Sequence, residues 1–530
     1  MIKNIKYLFI VALVVASCTN DEDVATIDPN SSDGLPVTAG TANFSKYVAV
    51  GNSLTAGYSD GTLFIEGQKG AWSTLLASRF ALAGGGEFKV PFMADNVGGF
   101  KIGGTVFQGP RLFFNGAAPG PVSGVPSTEI TTKLTGGFNN MGVPGAKSFH
   151  LLASGYGNAA GLATGQANPF FVRFSSSATA SVLGDAVAQA PTFFSLWIGN
   201  NDVLGYATTG GTGVNQTGNL TPATYGGNDI TDPNVFASVY NTLLDGTNGL
   251  TKGGAKGVVS NIPYVTSVPF FTTVRPNELP GLPAANATSL NQLFGGINAA
   301  LTTAGLPTRF VTLIADDSNP ATTESNPLLI IDETLPNISA QITAALTPTF
   351  GPAAAFLGNQ YGRARHARTT VGNRDYILLT TAGLIRPTPP GNNIEAGLPA
   401  GLTPTFAVRG VSFPLQDAAV LTADETAQVK TATDAYNATI LALANAKGLA
   451  FVDANAILAK VASGTYVSNG FTISSTYVTG GGFSLDGVHP SPRGYALIAN
   501  EFIKAINTKF SSNLKSFDVG NFRILFPGSL

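Results

Sequence analysis

Three histidines occur in the 530 residues, and only His489 has a carboxylate close by in a turn, in the run Asp486-Gly487-Val488-His489-Pro490. An aspartate and a histidine at i and i+3 in a tight loop can face each other. The carboxylate then accepts the Nδ1 proton, fixes the tautomer and leaves Nε2 as a general base. A base of this kind needs a nucleophile. In the stretch YVAVGNSLTAGY, Tyr47-Val48-Ala49-Val50 is a short apolar run, Gly51 stops it, and Leu54-Thr55-Ala56-Gly57 opens a helix. Ser53 therefore stands at a strand-to-helix turn, with free backbone N–H groups beside its hydroxyl. Acyl transfer also requires two or three preorganised N–H donors for the developing oxyanion. The Ser53 amide is one candidate. Gly142, in the turn-dense run Gly137-Phe138-Asn139-Asn140-Met141-Gly142-Val143-Pro144-Gly145-Ala146, is a second, and Asn201 in Gly199-Asn200-Asn201-Asp202 is a third. Each has a plain structural alternative: Ser53 as a helix cap, Asn201 as a turn residue, His489 as a turn histidine before a helix. His150 reads as a packing or surface residue. His366, among Arg363, Arg365 and Arg368, reads as part of a solvated basic face.

The elements that must position these residues alternate. Val48–Val50 is a strand, and Thr192–Ile198 is a buried apolar run that ends in the Asn200–Asn201 turn. Gly257–Pro263 and Leu449–Asp453 read as further strands. Helical spacing appears around 71–82, 147–154, 177–188, 235–244 and 491–506. Thr422 and Glu425 form a capping box ahead of a long helix that Gly448 ends. Strand and helix in alternation predict an α/β fold with a parallel sheet covered on both faces. Two stretches break the alternation, at about 63–137 and 271–413; both read as insertions. The predicted organisation is a core over 43–270 and 414–512, interrupted by those insertions, with a tail over 513–530.

Charged residues are 11% of the chain and the net charge is -2, which leaves no basic face for nucleic acid. A hydrophobic content of 44% excludes general disorder, while 63 glycines and 32 prolines imply many turns. One cysteine, Cys18, excludes internal disulfides and thiolate metal clusters. Without a clustered His/Cys set or a phosphate-binding fingerprint, no metal or organic cofactor is expected. Lys3 and Lys6 precede an apolar run from Leu8 to Val15 that is too short to span a bilayer. Val15-Ala16-Ser17-Cys18 then resembles the lipobox of bacterial lipoproteins. That resemblance implies a signal peptide over 1–17, lipidation of Cys18 and membrane attachment through the acyl chains. Residues 18–42 read as a flexible tether. The lipobox sets the expected location at the cell envelope, as an outer-membrane lipoprotein; Asp21-Glu22-Asp23 resembles the acidic run of surface-displayed lipoproteins, with a solvated charge run as the alternative.

The four blocks GNSL, NMGVPG, GNND and DGVHP, in that order, resemble those of the SGNH/GDSL hydrolase superfamily. The resemblance covers about half of the chain. It implies a three-layer α/β/α fold on a mostly parallel sheet of about five strands. It also implies Ser53 as nucleophile, His489 as base, Asp486 as its orienting acid, and Ser53, Gly142 and Asn201 as oxyanion donors. The implied activity is ester hydrolysis through an acyl-enzyme on a small-molecule, lipid or acylated-glycan ester. The family's usual aspartate before the serine is Asn52 here, a departure that bears on turn geometry. Two other functions use the same blocks: a surface glycan- or lipid-binding protein on a hydrolase scaffold, and an acyltransferase with an alcohol in place of water.

Overall fold

The computed structural model describes residues 28–319, 321, 323–385, 397–400 and 402–530. The expected signal peptide, Cys18 and the acidic run lie outside the described residues.

Five short strands form one sheet: β1 (Tyr47–Gly51), β2 (Asn140–Gly142), β3 (Phe193–Trp197), β4 (Lys256–Ser260) and β5 (Ala450–Val452). All pairs are parallel, in the spatial order β5-β4-β3-β1-β2. Side chains alternate between the two faces with the period of a strand. Val48 and Val50 of β1 join Phe194 and Leu196 in one core, whereas Tyr47 and Ala49 join Phe193 and Trp197 in the other. A sheet buried on both faces accounts for the continuous apolar runs of β1, β3 and β4.

Helices supply both covers. α1 (Ser53–Ala56) is a single turn after β1, and α2 (Trp72–Leu82) buries Trp72, Leu76 and Phe80 in the second core. α3 (Asn201–Thr208) follows β3. α4 (Pro233–Leu243) sets Phe236 and Tyr240 into the first core beside Tyr436 of α5 (Ala423–Ala446). The capping box of α5 is present: Thr422 Oγ1 accepts from Glu425 N at 3.3 Å, and Glu425 Oε2 accepts from Thr422 N at 2.7 Å. α6 (Ala454–Ala462) and α7 (Pro492–Phe510) complete the fold, with Tyr495, Ala499, Phe502 and Ile506 of α7 packed on the second core.

Three expectations are corrected. The stretch 63–137 is not wholly an insertion, because α2 within it is core; its hairpins Phe100–Gln108 and Leu112–Pro121 stand outside the layers, and Leu63, Met93 and Ile130 pack in a separate small cluster. The stretch 147–154 forms a short 3-10 turn, Ser148–Leu152. The latter part of the expected tether is docked: Ser32 N donates to Asn513 O, Thr38 N to Asn513 Oδ1 and Thr41 N to Phe510 O. The second insertion has its own core. Helices Ala284–Thr303, Ser339–Phe350 and Ala353–Tyr361 enclose Phe294, Ile297, Leu357 and Tyr361 beside the antiparallel pair Leu329–Ile331 and Ala364–His366.

Candidate active site

In an all-parallel sheet every strand ends on the same edge, where open α/β sheets place ligands. β1 hands over to Ser53, β2 to the Val143–Ala146 turn, and β3 to Asn200–Asn201. The loop before α7 brings His489 to that edge.

Ser53 Oγ lies 2.9 Å from His489 Nε2, and His489 Nδ1 lies 2.9 Å from Asp486 Oδ2. Asp486 is held firmly: Oδ1 accepts from Val488 N at 2.9 Å and from His489 N at 2.8 Å, and Oδ2 accepts from Gly61 N at 3.0 Å. Burial alone would raise the pKa of this carboxyl, but the attraction available to His489, with the hydrogen bonds from the His489 ring and amide and the Val488 amide, outweighs it and holds it at about 2. An ionised Asp486 keeps the proton on Nδ1, so Nε2 is the acceptor for the Ser53 hydroxyl. The Tyr58 ring packs against the imidazole with centroids 4.5 Å apart, which fixes its plane.

The oxyanion candidates separate. Ser53 N donates to no described protein group. Asn201 Nδ2 gives one proton to Ala146 O at 2.9 Å, and its second N–H remains. Gly142 does not fit the expected role. It sits in β2 opposite Gly51, and its amide donates to Asn140 Oδ1 at 3.0 Å. Its glycine identity has a packing cause, since a Cβ there would meet Ala56 N at 2.4 Å. Three residues on, Gly145 is exposed at φ +80°, and its amide has no protein acceptor among the described residues. Asn168 Nδ2 to Pro144 O (2.8 Å) and Asn201 Nδ2 to Ala146 O clamp the backbone on either side of it. The Pro144-Gly145 dipeptide is the sequence signal for that turn.

Asn52 in place of an aspartate has a use. Its Oδ1 caps α1 through Leu54 N at 3.0 Å, while its Nδ2 donates to Asn200 Oδ1 at 3.2 Å, tying the serine turn to the Asn201 turn. A carboxylate could accept the first bond but not donate the second.

A second acid stands behind the first. Asp60 is buried at φ +50°, its Oδ1 accepts from Leu485 N at 2.9 Å, and its amide donates to Ser484 Oγ at 3.0 Å. Burial pushes its pKa up to about 7; the Leu485 amide and Arg111 pull it down, and Asp486 raises it further. The sequence gives no local sign of this, because its partners lie more than 400 residues away.

The other histidines are not part of the site. Burial lowers both to about 4. His150 Nδ1 accepts from Lys147 N at 3.1 Å, and its ring stacks on Tyr156. The expected basic face holds only in part: Arg363 is exposed and Arg368 half-buried, but His366 and Arg365 are buried, and Arg365 bonds Asp332 at 2.6 Å and Asp375 at 2.5 Å. Phe193 and Phe194 are fully buried core. Trp197 borders the site and donates from Nε1 to Asn261 O at 3.0 Å.

Among the described residues two carboxylate groups have the spacing to hold a cation, Asp316 with Asp317 and Glu324, and Glu333 with Asp417 and Glu425. Neither includes Ser53, His489 or Asp486. No described helix is long and apolar enough to cross a membrane. Set beside protein-family models, curated proteins and solved structures, this chain matches none.

Proposed function

We propose that this protein is a serine-dependent carboxylic ester hydrolase of the SGNH/GDSL type. The observation that carries the reading is the unbroken chain Asp486–His489–Ser53, with 2.9 Å at both links, ending in a hydroxyl that borders a cavity. In the proposed reaction Ser53 Oγ attacks the ester carbonyl while His489 Nε2 takes its proton. The Ser53 amide, the second Asn201 N–H and the Gly145 amide, taking the place expected for Gly142, hold the oxyanion. Collapse of the tetrahedral intermediate breaks the ester C–O bond, and the imidazolium returns its proton to the departing alcohol. Water then attacks the acyl-enzyme with His489 again as base, releasing the acid and restoring Ser53.

The test is hydrolysis of p-nitrophenyl acetate and butyrate by protein beginning at Thr19, with Ser53→Ala alongside and a fluorophosphonate probe for the serine. Hydrolysis and labelling that both vanish in Ser53→Ala support the reading. No hydrolysis and no labelling of the native serine would replace it with the binding-protein alternative. The lipobox-like Val15–Cys18 stretch supports a cell-envelope location through a lipid anchor, so Cys18→Ala is expected to move the protein out of the membrane fraction.

A further inference from the structure

The cavity that borders Ser53 and His489 has a volume of about 120 Å³. Its wall is apolar: Leu458 and Val461 come from α6, Leu497, Ile498 and Phe502 from α7, and Ile473 from the strand Phe471–Ile473. α7 lines it from Gly494 to Phe502, a run of about 12 Å of helix. Glu501 is the one carboxylate in the lining, and its Oε1 accepts from the Tyr466 hydroxyl. The polar groups otherwise gather at the Ser53 end, as Asn52, Asn200, Asn201 and His489. Neither insertion contributes: no lining residue comes from 63–137 or 271–413.

We infer that this cavity is an acyl-chain site, and that the substrate is an ester of an aliphatic acid rather than an acetylated sugar. The inference rests on the hydrolase reading. An apolar cavity of about 150 Å³ in another protein stays dry and binds benzene, so the space here suits a chain of roughly four to eight carbons. An acetyl group leaves most of it empty. The acid half is assigned to it, rather than the alcohol half, by the order of release. The alcohol must depart before water can attack, whereas the acyl group stays bonded to Ser53 through both steps. An apolar wall that begins beside Ser53 favours the half that stays.

Each methylene that leaves water for such a wall raises kcat/KM by about two- to fourfold. Across p-nitrophenyl acetate, butyrate, hexanoate, octanoate and palmitate, kcat/KM is therefore expected to climb to the hexanoate–octanoate range and fall for palmitate. Acetate esters of alcohols of increasing length should show no such climb. Val461→Phe and, separately, Ile498→Phe intrude on the cavity, and each should lower the octanoate-to-acetate ratio at least tenfold. Thermal melting identifies which variants remain folded. A flat acyl profile, a climb with the alcohol instead, or an unchanged ratio in both folded variants would overturn the inference. Octanoate titration of Ser53→Ala, followed by tryptophan fluorescence, separates the two claims. If no ester is cleaved but octanoate binds and Val461→Phe weakens it, the hydrolase reading falls and the chain site stands. If esters are cleaved but octanoate neither binds nor is preferred, the hydrolase reading stands and the chain site falls.

Discussion

Two of the buried charge networks among the described residues, one in the 271–413 stretch and one at the sheet edge, differ in how they end. In the first, Arg365 reaches Asp332 through Nε, Asp375 through both terminal nitrogens, and the His366 carbonyl. Asp375 also accepts from Arg368 N at 2.6 Å and from Ala423 N at 2.9 Å, pinning the start of α5. The guanidinium and the Asp375 carboxylate are both surrounded by protein partners. In the second, Asp486 is as well bonded, but the chain continues through His489 to a serine hydroxyl that borders an apolar cavity. Buried charge by itself marks neither stability nor chemistry. Of the two, only the second ends at a hydroxyl beside a cavity, the arrangement on which the proposed chemistry depends.

That contrast can be broken by separating rate from stability. Asp486→Asn retains an acceptor oxygen for the surrounding amides but no longer holds the imidazole tautomer. Turnover is expected to drop by about 10⁴-fold with the melting temperature little changed; a normal rate would remove Asp486 from the reaction. Asp375→Asn should do the reverse, costing about 3–5 kcal/mol in chemical denaturation by leaving Arg365 underpaired, while kcat of the folded protein stays near native. Equal losses of activity and stability in both variants would dissolve the distinction.

Finer changes sharpen it. Asn201→Ala removes one proposed oxyanion donor, and kcat is expected to fall by about 10²- to 10³-fold with KM nearly constant. The smallest effect is electrostatic. Asp60 has a folded-state pKa of about 7 against an ordinary 3.8. Between those values the unfolded carboxyl has lost its proton and the folded one has kept it, so its contribution to stability falls as pH rises from about 4 to 7. Asn at this position tolerates φ +50° and still accepts from Leu485 N. Asp60→Asn should therefore melt higher than the native protein at pH 8, with the difference gone at pH 4. A constant difference across that range would show that Asp60 does not titrate there.

Much of the scaffold was legible because it depends on local pattern. The runs that become β1, β3, β4 and β5 are apolar on both faces, and the Thr422–Glu425 cap of α5 is written within four residues. β2 was read as a turn, since Asn140-Met141-Gly142 has neither length nor apolar continuity. Ser53, Asn201, Asp486 and His489 could be found because each sits where a strand or turn hands over to a helix. A sequence does not reveal which glycine amide its neighbours occupy, so the Gly142–Asn140 bond that leaves Gly145 as the proposed donor is visible only in the fold. The Tyr58–His489 contact and the Asp60 bonds to Ser484 and Leu485 are not legible locally, because those partners lie more than 400 residues on. Burial of Arg365 and His366 is not legible locally, because Asp332 and Asp375 reach Arg365, and Val311 N reaches His366 Nδ1, only through the fold.

Ser53 and His489 are separated by 436 residues. The entropy of closing so large a loop grows only with the logarithm of its length, so distance along the chain adds little thermodynamic penalty. It does set an order of events. A chain growing from its amino end carries Ser53 early, next to β1, with no base in reach. The same late segment that supplies Asp486 and His489 also supplies most of the cavity wall, from Val452 to Phe502. The proposed base and most of the cavity wall are thus synthesised together, long after the proposed nucleophile.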